Sequence, residues 1–143
     1  MAIVYRTSDG HYNYRTVTGD PLGLLATAGR ASTLDRLDAD TTHALTADTD
    51  HPDALVQILA LANASRSGEI LCSAAPGWDF RERYEPIPHR SCHGALHREQ
   101  MRVPLLMSHR AIGIPRRTVD CYPSLLTALG QRPRTPIDGT SFR

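Results

Sequence analysis

The N-terminal part of the chain alternates apolar or aromatic side chains with polar ones. This period of two covers residues 3–7 and 12–18, and Ser8-Asp9-Gly10-His11 between them contains an Asp-Gly pair that tolerates positive φ in a tight turn. The pattern predicts a β-hairpin that ends at Gly19-Asp20-Pro21. Residues 30–50 are rich in Asp, Thr and Ala and show no sustained apolar period, so we expect a surface connection there.

Two later segments have the apolar spacing of an amphipathic helix. Residues 51–64 carry an apolar stripe, and Asp50 can cap that helix. Residues 118–129 start at Thr118 as the expected N-cap and stop before Gly130 as the C′ residue. The side chains expected on the apolar faces of the two helices are Leu55, Ile58, Leu59 and Ala62 in the first, and Val119, Tyr122, Leu125, Leu126 and Leu129 in the second.

Two short apolar runs, residues 69–75 and 103–108, are typical of strands buried on both faces. We expect both strands to lie in one sheet covered by the two helices, which predicts an α/β layered fold. The 143 residues fit a single domain or domain fragment. Within it, residues 1–50 would supply the hairpin and connection, and residues 51–143 a C-terminal α/β portion.

Composition and charge narrow the classes of protein to consider. The chain is 41% hydrophobic and 22% charged, which is typical of a globular protein and speaks against disorder or membrane insertion. Residues 1–60 hold four Arg and eight Asp, whereas residues 61–143 hold twelve Arg and seven acids. No basic helix or aromatic-interleaved patch accompanies this asymmetry, so no nucleic-acid partner is expected. Three Cys without a Cys-x-x-Cys pair, and no signal-peptide-like apolar run at the N-terminus, predict a cytoplasmic location.

A long loop, residues 77–102, separates the two predicted strands and has no helical or strand period. Loops of this length inside a compact domain are usually functional or disordered. This one carries His89, His93 and His97 at even spacing, with Gly94 directly after the middle one. Neutral imidazole is a common zinc ligand, but prolines and Gly94 argue against one continuous helix. The spacing alone therefore leaves both a metal site and ordinary surface histidines open.

Five short motifs follow one another in the second half of the chain: His93-Gly94, Val103-Pro104-Leu105, Arg117-Thr118-Val119-Asp120-Cys121-Tyr122-Pro123, Leu129-Gly130 and Asp138-Gly139-Thr140-Ser141-Phe142. In this order, over residues 68–142, they resemble motifs in the C-terminal part of the alkaline phosphatase superfamily. The branch they resemble most is the type I phosphodiesterase and nucleotide pyrophosphatase-like hydrolases. Residues 1–60 match only loosely. Asp120 is expected to stabilise the N-terminus of its helix through the dipole.

The resemblance implies part of an alkaline-phosphatase-like three-layer sandwich, preceded here by the hairpin. It also implies hydrolysis of phosphate mono- or diesters through a covalent intermediate on Thr or Ser, with two divalent metal ions, usually zinc. Carried over, His93 is a metal ligand, and Gly94 would let the backbone approach the metal. His97, His89 and Arg98 would support that ligand or face the substrate; the alternative for all three is an ordinary surface role.

The nucleophile and the other metal ligands of that family lie upstream of these motifs and have no counterpart here. No catalytic residue and no cofactor-binding residue is therefore identified in this chain, and one His does not make a zinc site. We expect the C-terminal portion of a phosphoesterase, completed by upstream sequence or another chain and leaving an exposed apolar surface. The alternative is a stand-alone, non-catalytic binding or interaction module that keeps the family's shape and recognises an anion or a protein.

Overall fold

The computed structural model describes residues 1–30, 32–80, 94–108 and 113–142. The chain divides into two compact units, residues 1–103 and residues 104–143. The class is mixed α/β, as predicted. In chain order, the described residues form β1 (Ala2–Arg6), β2 (Tyr12–Thr16), α1 (Leu24–Thr27), β3 (Thr33–Leu37), α2 (Ala39–Thr46), α3 (Ala54–Ala62), α4 (Arg98–Met101), a 3₁₀ turn (Thr118–Asp120) and α5 (Cys121–Ala128).

The predicted N-terminal hairpin is confirmed. β1 and β2 pair antiparallel in one unbroken register, with Val4 opposite Tyr14. The turn depends on Gly10, whose φ of 90° lies in the region that glycine adopts without strain. The Gly10 N–H donates to the Thr7 carbonyl at 2.9 Å, and the Arg6 guanidinium donates to the Gly10 carbonyl at 3.0 Å. The Asp-Gly signal therefore predicted the turn for the right physical reason.

Residues 30–50 are not the surface connection that the pattern predicted. Residues 33–37 form β3, which pairs antiparallel with β2 and gives a three-stranded sheet in the order β1-β2-β3. The register shifts at a bulge where Arg36 has a φ of 55°, and the Asn13 side chain accepts the Arg36 N–H at 2.9 Å. The bulge interrupts the alternation of a regular strand, so periodicity alone misses it.

The same stretch also contains α2, whose buried face is polar. Asp38 caps the helix by accepting the Thr41 N–H at 2.6 Å. Thr42 and Thr46 are fully buried, and their hydroxyls donate to helix carbonyls four residues earlier, at 2.7 and 2.8 Å. Because these bonds satisfy the threonine hydroxyls inside the helix, they can be buried without an apolar stripe in the sequence.

The core of the first unit surrounds Tyr14, which has no solvent exposure. It also includes the buried side chains of Tyr12, Leu24, Leu25, Leu34 and Leu55. The Tyr14 hydroxyl donates to Asp20 at 2.6 Å, and the same carboxylate accepts the Leu25 N–H of α1 at 2.8 Å. Asp20 therefore ties the centre of the sheet to the first turn of α1.

The predicted helix over residues 51–64 is present in shorter form as α3, residues 54–62. Its N-cap position is Asp53 rather than Asp50, and Asp53 has a left-handed φ of 57°. The Asp53 N–H donates to the buried Thr46 hydroxyl at 2.7 Å, which fixes the corner between α2 and α3. This tertiary bond sets the helix start, so the local capping signal at Asp50 was wrong. Leu55, the first residue of the predicted stripe, is fully buried.

The two predicted strands over residues 69–75 and 103–108 are wrong. Neither segment belongs to a strand, and both are largely exposed, with Ile70 84% and Leu106 91% accessible. A strand buried on both faces needs neighbouring strands and a covering layer on each side. The described residues supply neither to these segments, so the apolar runs stay irregular.

The C-terminal helix is confirmed, with two differences from the prediction. The 3₁₀ turn opens it with Arg117, not Thr118, at the N-cap position. Gly130 follows the helix with a left-handed φ of 67°, as predicted for a C′ glycine. The buried face is the opposite of the expected one. Pro123 and Ser124 are buried, whereas the predicted core-facing side chains Val119, Tyr122, Leu125 and Leu129 are 47–73% exposed.

No helix among the described residues is both long enough and apolar enough to cross a bilayer.

Candidate functional site

The predicted metal ligand His93 and its neighbour His89 lie outside the described residues. Gly94, the next residue that the structure describes, has a φ of 100°. A side chain at this position would meet no atom within 4 Å, so the requirement for glycine here is its backbone conformation rather than space.

The end of the loop, residues 95–102, is fastened to the corner between α2 and α3; we call it the docked segment. The Arg98 N–H donates to the Asp50 carbonyl at 2.8 Å. The Arg102 guanidinium binds the Asp48 carboxylate at 3.1 Å and also donates to the Ala47 carbonyl. Both arginines thus reach the same corner, from residues more than forty positions away in the sequence.

The start of the docked segment is held by side-chain acceptors. The Ala95 N–H, which belongs to a buried residue, donates to the Gln100 side-chain oxygen at 2.8 Å. The Leu96 N–H donates to the Ser73 hydroxyl at 3.1 Å. These bonds leave little freedom to the backbone directly after Gly94, since each fixes one peptide group.

His97 is half-buried and stands at the N-cap of α4, where its Nδ1 accepts the Glu99 N–H at 3.4 Å. Its ring meets the ring of His51 edge-on, with 6.2 Å between ring centroids and an interplanar angle of 87°. Nδ1 is engaged with the backbone, so the His97 ring caps the helix and packs against the corner.

Arg98 is half-buried against the same corner. Besides its backbone bond to Asp50, its guanidinium lies 3.5 Å from the Asp48 carbonyl. The structure therefore places both His97 and Arg98 against the α2–α3 corner.

The described residues do not by themselves form a metal centre. Within residues 1–30, 32–80, 94–108 and 113–142, no group of three or more His, Cys, Asp and Glu side chains has an arrangement that could hold a metal ion. A zinc site takes three or four protein ligands. His97 cannot meet that requirement alone.

A second group of contacts, in the unit of residues 104–143, joins the start of α5 to residues 139–142; we call it the Asp120 cluster. The Asp120 carboxylate accepts the Arg117 N–H at 3.0 Å and the Thr140 N–H at 2.9 Å. The Ser124 hydroxyl donates to the Asp120 carbonyl at 2.6 Å and accepts the Phe142 N–H at 3.0 Å. Two side chains thus tie the closing segment to the start of α5.

Gly139 belongs to the Asp120 cluster because no side chain fits at this position. A Cβ at Gly139 would lie 2.2 Å from the Val119 carbonyl oxygen, closer than any real contact. Phe142 is buried, and its carbonyl accepts the Gly113 N–H at 2.7 Å. The sequence indicated only a helix-dipole role for Asp120. The sequence signals that could have indicated these contacts are the four-residue spacing from Asp120 to Ser124 and the Asp138-Gly139 pair.

Comparison of this chain with protein-family models, with curated proteins and with solved structures found no match.

Proposed function

We propose that this chain is the C-terminal portion of a metal-dependent phosphoesterase of the alkaline phosphatase superfamily. In this proposal His93 is one ligand of a divalent metal site, zinc in most such enzymes, and sequence outside this chain supplies the Thr or Ser nucleophile and the remaining ligands. The substrate would be a phosphate mono- or diester. The proposal also gives the complete protein the three-layer sandwich and the cytoplasmic location.

The observation that carries the proposal is the Asp120 cluster. Two of the motifs that carry the resemblance, residues 117–123 and 138–142, meet in the structure. The Asp120 and Ser124 side chains accept N–H bonds from the second motif, and Gly139 of the second motif lies against the backbone of the first. Each residue type is needed there for a physical reason, because the carboxylate and hydroxyl satisfy backbone donors and the glycine avoids a clash. This arrangement explains why the motif has this spacing without assigning these residues to catalysis.

A second observation fits a chain that is part of a larger core. The side chains of Val119, Tyr122, Leu125 and Leu129 on α5 are 47–73% exposed. Exposed apolar patches on soluble proteins commonly mark the contact surface of another element or chain. In the proposed enzyme this face packs against the upstream part of the core.

The docked segment gives His97 and Arg98 a supporting role in the proposal. Both side chains face the α2–α3 corner, and both fasten the chain that follows His93 and Gly94. A loop anchored on one side holds its ligand in fewer orientations, which favours metal binding. We therefore assign neither residue to substrate binding.

Hydrolysis of p-nitrophenyl phosphate and of its bis-ester, each with added zinc, tests the proposal. The 143-residue chain alone should give background rates, because the nucleophile and most ligands are outside it. The protein translated from an intact upstream coding region through residue 143 should turn over at least one of the two esters and lose this activity with a chelator. Metal-dependent turnover by the 143-residue chain alone would contradict the division of the site, and inactivity of the longer protein would contradict the assigned chemistry.

The alternative function is a non-catalytic binding module. The exposed apolar side chains of α5, such as Tyr122 and Leu125, give such a module a surface for a protein partner. In that case any longer protein that contains this chain would bind no zinc. Zinc analysis of that protein therefore separates the two functions.

A further inference from the structure

The two edges of the three-stranded sheet differ in how well they resist pairing. β3 has a bulge at Arg36 and a second charged residue, Asp35, in the middle of the strand. Bulges and charges are the usual devices that keep edge strands from pairing with other chains. β1 has an unbroken register, and its one charged residue, Arg6, is at the end of the strand.

The Arg6 side chain is turned to its own hairpin rather than guarding the edge. Its Nε donates to the Gly10 carbonyl at 3.0 Å, and its guanidinium lies 5.2 Å from the centroid of the Tyr12 ring. The other β1 residues, Ala-Ile-Val-Tyr, are apolar and include two β-branched side chains and one aromatic. Such residues favour strand pairing, so β1 is the open edge of the sheet.

The backbone groups on this edge can be assigned from the hairpin bonds. The Thr7 N–H donates to the His11 carbonyl at 2.9 Å, so the odd-numbered residues of β1 are the ones that bond β2. The N–H and C=O groups of Ala2, Val4 and Arg6 therefore point away from β2. In the described part of the chain β1 has no other neighbouring strand.

We propose that β1 pairs antiparallel with β1 of a second copy of this chain, about a two-fold axis at Val4. In this register Val4 lies opposite Val4 of the second copy, and Ala2 lies opposite Arg6 of the second copy. The register is self-consistent because all three residues direct their N–H and C=O groups away from β2. Two three-stranded sheets would then form one six-stranded sheet. The pairing brings no like charges opposite each other, which would otherwise oppose it.

The side chains on the outer face fit the same register. Ile3 of each copy stands opposite Tyr5 of the other, a β-branched–aromatic pair of the kind that stabilises antiparallel sheets. Ile3 and Tyr5 are 40% and 42% exposed in the single chain, so pairing covers apolar surface. An interface of five residues per strand is small, so we expect a reversible dimer. The inference does not depend on the proposed function.

Sedimentation velocity over a range of concentrations tests the pairing. The wild-type chain should shift with rising concentration from a species of 15.7 kDa to one of twice that mass. A sedimentation profile that stays monomeric at the highest concentration, or that goes directly to larger aggregates, would overturn the proposal. An edge occupied by a different partner predicts the monomeric result.

Two double variants that differ at one position test the register. Ile3→Glu with Tyr5→Glu puts two carboxylates opposite each other at both pair positions, whereas Ile3→Glu with Tyr5→Lys puts opposite charges there. Within one copy Glu at position 3 faces Arg15, so both variants keep a favourable contact inside the hairpin. Circular dichroism checks that both retain the fold of the wild type.

The doubly acidic variant should be monomeric at all concentrations, and the oppositely charged variant should dimerise, more strongly at low salt. Asp35→Lys on the β3 edge is the matched control and should leave the dimer unchanged. Equal association of the two double variants, or loss of the dimer in Asp35→Lys, would show that β1 does not pair in this register.

Discussion

Tyr14 and Asp20 show how one buried contact couples the sheet to the segment after it. Burial and the hydrogen bond to Asp20 raise the pKa of Tyr14 to about 12. Burial raises the pKa of Asp20, but the Tyr14 hydroxyl and backbone N–H groups at the start of α1 outweigh it and hold that pKa below its usual range. The folded chain therefore favours a neutral Tyr14 and an ionised Asp20.

The stability of the chain should consequently fall at high pH. A tyrosine in the unfolded chain loses its proton near pH 10, whereas folded Tyr14 keeps its proton until about pH 12. The contribution of Tyr14 is thus complete below pH 10 and is lost as the pH rises from 10 to 12, by about 2–3 kcal/mol. Urea unfolding at several pH values should show this loss in the wild type but not in Tyr14→Phe. Parallel pH dependence of the two proteins would contradict the burial of Tyr14.

At the scale of the elements, the hairpin and the C-terminal helix were predictable because local signals determine them. Gly10 and Gly130 both adopt the positive φ that their sequence contexts indicate. β3 and α2 were missed because a bulge and two buried threonines, Thr42 and Thr46, replace the expected apolar period. The apolar runs near Ile70 and Leu106 resemble strands, but strand formation requires neighbours that the described residues do not provide.

The inverted packing of α5 leads to an unusual prediction for its stability. Ser124→Ala removes the donor to Asp120 and leaves the buried Phe142 N–H without its acceptor, which costs about 1–3 kcal/mol. Leu125→Ala on the exposed face should change stability by less than about 0.5 kcal/mol. Hydrogen exchange of the α5 amides should be clearly faster in the first variant and unchanged in the second. Faster exchange in Leu125→Ala than in Ser124→Ala would mean that the exposed apolar face, not the Asp120 cluster, stabilises this helix.

The ion pair between Arg102 and Asp48 is one of several contacts that hold the docked segment on α2–α3. Asp48→Ala deletes the carboxylate that binds Arg102 at 3.1 Å but leaves the bonds of the segment to backbone carbonyls, so trypsin should cleave after Arg102 about two- to fivefold faster than in the wild type. Asp35→Ala, an exposed aspartate on β3, is the control and should leave the rate unchanged. Equal cleavage rates in all three proteins would show that the ion pair does not hold the segment.

At the scale of the whole molecule, the parts of the site that were predictable and those that were not have different physical origins. The histidine spacing and Gly94 marked the loop. Gly94 has a positive φ, whereas its expected approach to a metal stays a prediction. No local pattern could place His97 beside His51, because only the fold brings residues 51 and 97 together. The assignment of His93 stays a prediction, and it is the central chemical claim made for this chain.

Zinc content of the longer protein, measured together with bis-ester hydrolysis, tests that claim most directly. His93→Ala should lower the zinc content and remove most of the activity, while the thermal midpoint changes less than for a core truncation such as Leu55→Ala. His97→Ala should have a smaller effect on both zinc and activity, because His97 caps α4. Full zinc content and activity in His93→Ala, or greater damage from His97→Ala, would contradict the assignment of His93 as a metal ligand.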